Sequence, residues 1–263
     1  MLWIGCQFQK RYTEKLQWYK LYYRNDLMRE CTDKFTVRKY VKRCGLEEIL
    51  NECYGVYESI NDVNFEKLPS SFVIKDTLGG GGNSIIIVKD KENLEIDEIK
   101  KKTNKWISSS IYKKNFAREW VYEGRKHRII IEKYIESKSE EGGLIDYKFL
   151  CFNGEIALVY VLTDRILSKG AGCGFFDTNF NQLPYTESDE QPLKRKVLKP
   201  SNFKRMKKIA ETLSSSFPCA RVDLYNTNGK VIFGEITFFD GSGYMTFNPD
   251  EVDFKLGNKF KLI

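Results

Sequence analysis

Two stretches of the chain hold residue types that could act together on a phosphate. In "FVIKDTLGGGGNSIIIVKD", residues 72–90, four consecutive glycines separate two apolar, β-branched runs. Consecutive glycines let the main chain turn freely and leave its N–H groups unobstructed. Such N–H groups form a concave anion site, to which a lysine adds a full positive charge. Lys75 closes the first run and Lys89 the second, so both are expected to flank the loop. Two readings are open at this point, a phosphate cradle and a plain hairpin loop without a ligand.

The second stretch is "RVDLYNTNGKVIFGEIT", residues 221–237. Asp223 and Glu235 stand on the two arms of a hairpin whose turn is Asn228-Gly229. Two carboxylates in apolar sequence are costly to bury unless something neutralises them. Magnesium would do so, because it takes oxygen ligands and bridges carboxylates to substrate phosphates. Arg221 lies two residues before Asp223, on the same face of a strand. A structural salt bridge between these groups is the alternative to a metal site.

Familiar phosphate motifs do not account for the loop. The chain has no G-x-x-x-x-G-K-[ST]. The loop joins strand to strand, not strand to helix as in dinucleotide folds. In protein kinases the glycine loop precedes the strand lysine, whereas here it follows Lys75, and no H-R-D-like loop is present.

The elements that must position these residues are legible from periodicity. "QKRYTEKLQWYKLYYRN" spaces Tyr12, Leu16, Tyr19 and Tyr23 as a helix, and "DKFTVRKYVKRC" predicts a second helix stopping at Gly45. "FVIKD" and "SIIIVKD" form a hairpin, and residues 95–111 an amphipathic helix with Ile96, Ile99, Thr103 and Trp106 on one face. "RIIIEKYI" is a strand buried on both faces. "DYKFLCFNGEIALVYVL" is a hairpin turning at Asn153-Gly154. Residues 168–200 read as irregular, and Ser201 as the cap of a helix carrying Phe203, Met206, Ile209, Ala210 and Leu213. The class is α+β, with antiparallel sheets and helices in segregated groups.

Composition narrows the setting. The 263 residues suffice for one large domain or two small ones. No apolar run approaches a membrane span, and the start lacks a signal-peptide core, so a cytoplasmic protein without transmembrane segments is expected, with peripheral membrane contact left open. Seven cysteines without a C-x-x-C pair predict free thiols, neither a disulfide framework nor a zinc site. His127, the single histidine, excludes mechanisms needing two imidazoles and is expected at the surface. The net charge of +7 favours a polyanionic partner. Basic residues do not interleave with aromatics as in RNA-binding proteins, so no nucleic acid is expected.

With these residues in place, the chain resembles the ATP-grasp superfamily, and within it the TupA-like ATP-grasp group named for teichuronopeptide biosynthesis. The resemblance rests on eight blocks in register: "TEKLQWYKLYYRNDLM", "DKFTVRKYV", "LPSSFVIK", "GGGGNSIIIVKD", "IIIEKYIE", "DYKFLCFNGE", "RVDLYNTNGKVIFGEITFFDGSG" and "KLGNKFKL". It implies an ATP-grasp fold in which two α+β subdomains with antiparallel sheets clasp ATP. The implied domains are a helical N-terminal region over 1–70, a subdomain with the glycine loop over 71–135, and one with the magnesium site over 136–263.

The resemblance also implies roles. Lys34 and Lys75 would hold the ATP phosphates, under a loop of Gly79, Gly80, Gly81, Gly82, Asn83 and Ser84. Glu132, Lys133, Tyr134 and Ile135 match the adenine hinge, and Glu136 or Glu140 the ribose contact. Asp223, Glu235 and Thr237 would hold one or two Mg2+ ions. Arg221 would stabilise the charge on the transferred phosphate and the acyl intermediate, Lys148 would make a further substrate or phosphate contact, and Gly241 to Gly243 would form a turn near the acceptor. Thr237 stands where the wider superfamily usually has Asn, and Leu78 falls in a stretch that is usually polar in the group. The implied activity is ATP-dependent carboxylate–amine ligation through an acyl phosphate, joining a uronic acid of a surface polysaccharide to an amine. A sugar-nucleotide glycosyltransferase and a non-catalytic nucleotide-binding module are the alternatives.

Overall fold

The computed structural model describes residues 9–80, 82–108, 117–137, 143–166, 170–187 and 190–262. The chain divides into two units, one of residues 1–26, 117–120 and 137–263, the other of residues 27–116 and 121–136.

Helix α1 (Tyr12–Tyr22) belongs to the first unit, with Tyr12, Leu16 and Tyr19 buried at the predicted spacing. Tyr23 is its C-cap and stacks on Tyr19 with ring centroids 4.8 Å apart.

The second unit begins with α2 (Asp26–Thr32) and α3 (Val37–Arg43). The predicted helix from Asp33 is shorter than its sequence, because the Asp33 carboxylate accepts the amides of Phe35 and Thr36 and holds them in a turn. Its end is as expected. Gly45 takes φ +73°, and Gly45 N–H and Leu46 N–H donate to the carbonyls of Lys42 and Val41. That pair of bonds is a Schellman cap, which requires a left-handed residue at this position.

Strands β1 (Cys53–Tyr57), β2 (Phe72–Asp76), β3 (Ile85–Val88) and β4 (Ile129–Lys133) form an antiparallel sheet in the order β1-β4-β2-β3. Strand β1 had no clear alternation in "CYGVY" and was not expected from sequence. Phe72, Ile74, Ile129 and Ile131 join Val88 and Ile99 of α4 (Ile96–Ser108) in one core cluster. Each such burial is worth about 1.5–3 kcal/mol. Strand alternation then turns Val73, Lys75, Ile130 and Glu132 to the opposite face. Ile99 and Thr103 of α4 are buried as predicted, whereas Ile96 is exposed.

The first unit resumes with β5 (Asp146–Phe152) and β6 (Glu155–Ile166), joined at Asn153-Gly154 with φ +51° and +82°, the turn that the sequence predicts. Strand β7 (Gly170–Phe176) follows, then β8 (Gln182–Leu183), β9 (Thr186–Glu187) and β10 (Gln191–Pro192). The stretch read as irregular therefore contains a seven-residue strand, buried from Ala171 to Phe176. Its glycines conceal it from propensity yet let it pack: a Cβ on Gly174 would lie 2.3 Å from the Leu193 side chain.

Helix α5 (Phe203–Ser214) buries the apolar face expected of it. Ser201 is not its cap. Asn202 holds that position, and its side chain bonds instead to Asn226 and the Gly229 carbonyl. Strands β11 (Cys219–Thr227) and β12 (Lys230–Thr237) complete a sheet of order β10-β7-β6-β5-β11-β12, antiparallel except where β10 runs parallel to β7. Strand β13 (Phe247–Asn248) pairs with β9, and α6 (Glu251–Lys259) closes the unit.

Strand β5 is buried throughout. Phe149 stacks on Phe203 of α5, while Phe152, on the other face, packs on Tyr12 of α1 and on Phe260 after α6. Asp146 and Lys148 share the Phe152 face.

Candidate active site

In the first unit the site is a grid on three adjacent strands. Asp223 on β11 lies opposite Lys148 on β5 and opposite Glu235 on β12, and Arg221 lies opposite Thr237. Strand periodicity puts Asp146 beside Lys148 on the same face. Register across β11 and β12 depends on a bulge between Asp223 and Leu224, where Gly234 is the extra residue on β12. A Cβ on Gly234 would come within 2.9 Å of the Asp223 carbonyl, so only glycine keeps Glu235 opposite Asp223.

Asp223 serves two cations. Arg221 binds it through Nε to Oδ1 and Nη2 to Oδ2, both at 2.8 Å, and Lys148 Nζ donates to Oδ2. Lys148 also reaches Asp146 Oδ2 at 2.9 Å. Arg221 continues to Thr237 Oγ1 at 3.2 Å, Glu235 Oε1 at 3.5 Å and the Asp240 carboxylate. Arg165 stands 3.6 Å from Asp146. Four carboxylates thus face three cations.

Burial alone would raise the Asp223 carboxyl, but Arg221 and Lys148 outweigh it and hold the group down at about 2. Asp146 goes the other way: burial raises its carboxyl beyond what Lys148 can offset. Lys148 and Arg221, despite burial, are raised by the carboxylates around them. Arg221 and Lys148 are therefore fixed positive charges, and neither is suited to proton transfer near neutrality.

The fit of this grid to a cation has two sides. Its carboxylate and hydroxyl donors are all oxygen, as magnesium prefers. Asp146 Oδ1 and Asp240 Oδ2 are buried without a hydrogen-bond partner, which leaves acceptor capacity inside the cluster. Yet among the described residues no three acidic, His or Cys groups converge as a cage. A magnesium ion here would take Asp223 and Glu235 oxygens and complete its shell with substrate and water. Thr237, the third sequence candidate, has its hydroxyl turned to Arg221.

Asp146, Asp240 and Arg165 were missed by sequence reasoning. The spacing of "DYK" contained the signal for Asp146, which shares the face of Lys148. Asp240 and Arg165 come from outside the aligned strand pairs and only folding brings them in.

A turn from Asp240 to Gly243 borders Asp240. Gly241, Ser242 and Gly243 all take positive φ, +49°, +54° and +74°. The buried Lys20 donates to the Ser242 carbonyl at 2.8 Å, Gln17 to the Ser242 and Gly243 carbonyls, and the Ser242 hydroxyl to Glu119. Helix α1 thereby secures the turn expected near an acceptor.

The second unit holds a separate cluster. Lys75 Nζ pairs with Glu132 Oε2 at 2.8 Å, and Arg38 reaches Glu132 Oε1 at 3.4 Å. Lys34 N–H donates to the Thr77 carbonyl, and its Nζ to the Gly79 carbonyl at the start of the glycine loop. Lys75 and Glu132 thus form an ion pair across β2 and β4, and Lys34 is tied to the base of the glycine loop.

The four glycines differ in purpose. A Cβ on Gly79 would lie 2.5 Å from Ser84 Cβ, and Gly82 takes φ +76°. At Gly80 nothing lies within 4 Å of an added Cβ. Asn83 N–H closes the turn onto the Gly80 carbonyl, and the Ser84 carbonyl accepts from Asp76 N–H. Gly81 and Glu140 lie outside the described residues. Lys89 does not flank the loop: Val88 pairs with Phe72, so Lys89 follows at the far end of the hairpin and is exposed.

His127 is also corrected. It is not a surface residue, being 18% exposed with Nδ1 2.6 Å from the buried Asp76. The other Asp76 oxygen accepts Leu78 N–H, so the pair ties β2 to the base of the loop. At the hinge, Lys133 N–H donates to the Glu52 carbonyl, and the Lys133 carbonyl accepts from Asn51 Nδ2. Tyr134, Ile135 and Glu136 follow outside the strand. The six described cysteines are free, and burial pushes Cys151 up to about 12, so it is an inert core thiol.

None of the curated proteins compared with the chain matches it. Solved structures with similar folds include the D-alanine–D-alanine ligase from Bacillus anthracis, at 20% identity and TM-score 0.48 over 79% of this chain and 57% of that one. The L-amino acid ligase from Bacillus licheniformis gives 15% identity and TM-score 0.49 over 90% of this chain and 51% of that one. A third is the biotin carboxylase domain of the 2-oxoglutarate carboxylase from Hydrogenobacter thermophilus, solved with MgADP. It gives 15% identity and TM-score 0.46 over 81% of this chain and 40% of that one. The match therefore spans only 40–57% of the length of these proteins. The family model for TupA-like ATPgrasp matches residues 14–261, nearly the whole sequence, and the chain belongs to that family.

Proposed function

We propose that the protein is an ATP-dependent carboxylate–amine ligase. The observation that carries this reading is the row Lys148–Asp223–Glu235 across three strands, flanked by Arg221, in a chain matched by the family from 14 to 261. Lys34, Lys75 and the loop from Gly79 to Ser84 bind the phosphates of ATP. The hinge over Glu132–Glu136 receives the adenosine. Asp223 and Glu235 hold magnesium, which neutralises phosphate charge when bound.

In this reaction a carboxylate oxygen of the substrate attacks the γ-phosphorus, and the bond to the β-phosphate oxygen breaks to release ADP. An amine then attacks the acyl carbon, phosphate leaves with the bonding electrons, and the amine loses a proton. The chain supplies positioning and fixed charge. Arg221 and Lys148, held cationic by their carboxylates, stabilise the negative charge that grows on the transferred group.

For the substrate, the family's association with teichuronopeptide supports a uronic acid of a capsular or cell-surface polysaccharide, or its precursor, joined to an amino acid or other amine. The test is ADP release from MgATP across a panel of uronates and amines, with Arg221→Lys as a control that keeps charge but loses the fork to Asp223. Turnover that needs both an acid and an amine supports the reading. ADP formation with neither, or UDP release from a sugar nucleotide, overturns it.

A further inference from the structure

The net positive charge of the chain is carried by one segment. "LKRKVLKPSNFKRMKK", residues 193–208, holds eight Lys and Arg and no acidic residue, leaving 35 basic against 36 acidic groups elsewhere. The entire excess of +7 therefore resides in this segment of the first unit. The proposed ligase chemistry uses none of it.

The segment is built, not loose. Leu193 follows β10 and packs against Gly174 of β7, and Val197 is buried. Arg195 pairs with Asp164 at 2.7 Å, and Lys199 Nζ donates to the Asn179 carbonyl at 2.9 Å. Helix α5 turns Phe203, Met206, Ile209 and Ala210 inward and leaves Lys204, Arg205 and Lys208 exposed. Among the described residues, Lys194, Lys196, Lys204, Lys207 and Lys208 have no acidic partner within ion-pair distance.

Between Val197 and Lys199 stands Leu198, 76% exposed, the most exposed large apolar side chain among the described residues. The anchors on either side fix it outward amid the lysines. A soluble polyanion would be held by the charges and would gain nothing from a projecting leucine. A bilayer surface uses both, since anionic headgroups attract the lysines and the acyl boundary accepts the leucine.

We propose that the segment 194–208 docks the protein on an anionic lipid bilayer, with Leu198 inserted and the exposed lysines of the segment on the headgroups. The inference does not depend on the ligase reading, because vesicle binding and turnover are measured separately.

The test is flotation of the full chain with phosphatidylcholine vesicles with and without phosphatidylglycerol. Binding is expected only with the anionic lipid and is lost at high salt. Each neutralised lysine is expected to weaken partitioning roughly fivefold, so Lys194→Gln with Lys196→Gln weakens it by about 25-fold. Leu198→Ser weakens vesicle binding while leaving retention on immobilised polygalacturonate unchanged. All three positions are exposed, and an unchanged melting temperature establishes that the variants fold. Absence of binding to phosphatidylglycerol vesicles overturns the proposal. So does a Leu198→Ser variant that floats like the parent, which would make the patch a site for soluble polyanions.

Discussion

Asp223 carries two cations on one buried carboxylate, and its neighbour Asp146 carries the burden of burial with less support. Their shifts oppose each other, which separates them experimentally. The folded-state pKa of Asp223, about 2, lies below its reference of 3.8. Its stabilisation is therefore full above about pH 4 and is lost as pH falls toward 2, amounting to roughly 2 kcal/mol. Asp146 is raised by burial, so its ionised form costs stability as pH rises. Asp223→Asn is expected to destabilise by about 3 kcal/mol at neutral pH, because Lys148 and Arg221 lose their shared partner. Asp146→Asn should cost less. Urea unfolding as a function of pH checks both, with the acid limb flattened in Asp223→Asn; a larger loss for Asp146→Asn would refute the assignment.

At the scale of elements, two glycines make opposite predictions. Gly234 holds the bulge that aligns Glu235 with Asp223, and its missing Cβ faces backbone, which cannot yield as a side chain can. Gly234→Ala is expected to cost about 1–3 kcal/mol and to weaken magnesium-dependent nucleotide binding. Gly80→Ala meets open space, so the melting temperature should hold while MgATP affinity falls. Calorimetric titration with MgATP distinguishes the two. A Gly80→Ala variant with parental affinity would mean that the loop does not close over phosphate. The hairpins were legible because their turns, Asn153-Gly154 and Asn228-Gly229, have positive φ and thus few compatible residues. Strands β1 and β7 were not, since "CYGVY" and "GAGCGFF" lack alternation and earn their place through partner strands.

For the whole molecule, ligand binding and packing at distant sequence positions set stability. MgATP at a hundred times its dissociation constant should add about 2.7 kcal/mol, a rise of several degrees in melting temperature. The rise should shrink in Asp223→Asn or without magnesium. Helix α1 is held to α6 by Thr13 on Asp253 and by Lys15 on the carbonyls of Gly257 and Phe260. A Cβ on Gly257 would lie 2.0 Å from the Lys10 carbonyl. Gly257→Val is therefore expected to lower the melting temperature markedly by prising α1 from α6, and thermal denaturation followed by far-ultraviolet circular dichroism checks it. Among the described residues no helix is long and apolar enough to cross a membrane.

What the sequence by itself determined was local: the two hairpins, the glycine loop with Lys75 at its edge, and Arg221 placed on the face of Asp223. Those features follow from periods of two and from turn residues with restricted φ, which need no distant partner. Only the tertiary structure decided that Lys148 stands opposite Asp223, that Asp146 and Asp240 enter the same cluster, and that His127 is paired with Asp76 instead of exposed. It also moved Lys89 away from the loop and replaced Ser201 by Asn202 at the start of α5. Each of these depends on strand register or on contacts between segments far apart in the chain, where burial and charge pairing, absent from local patterns, select the partner.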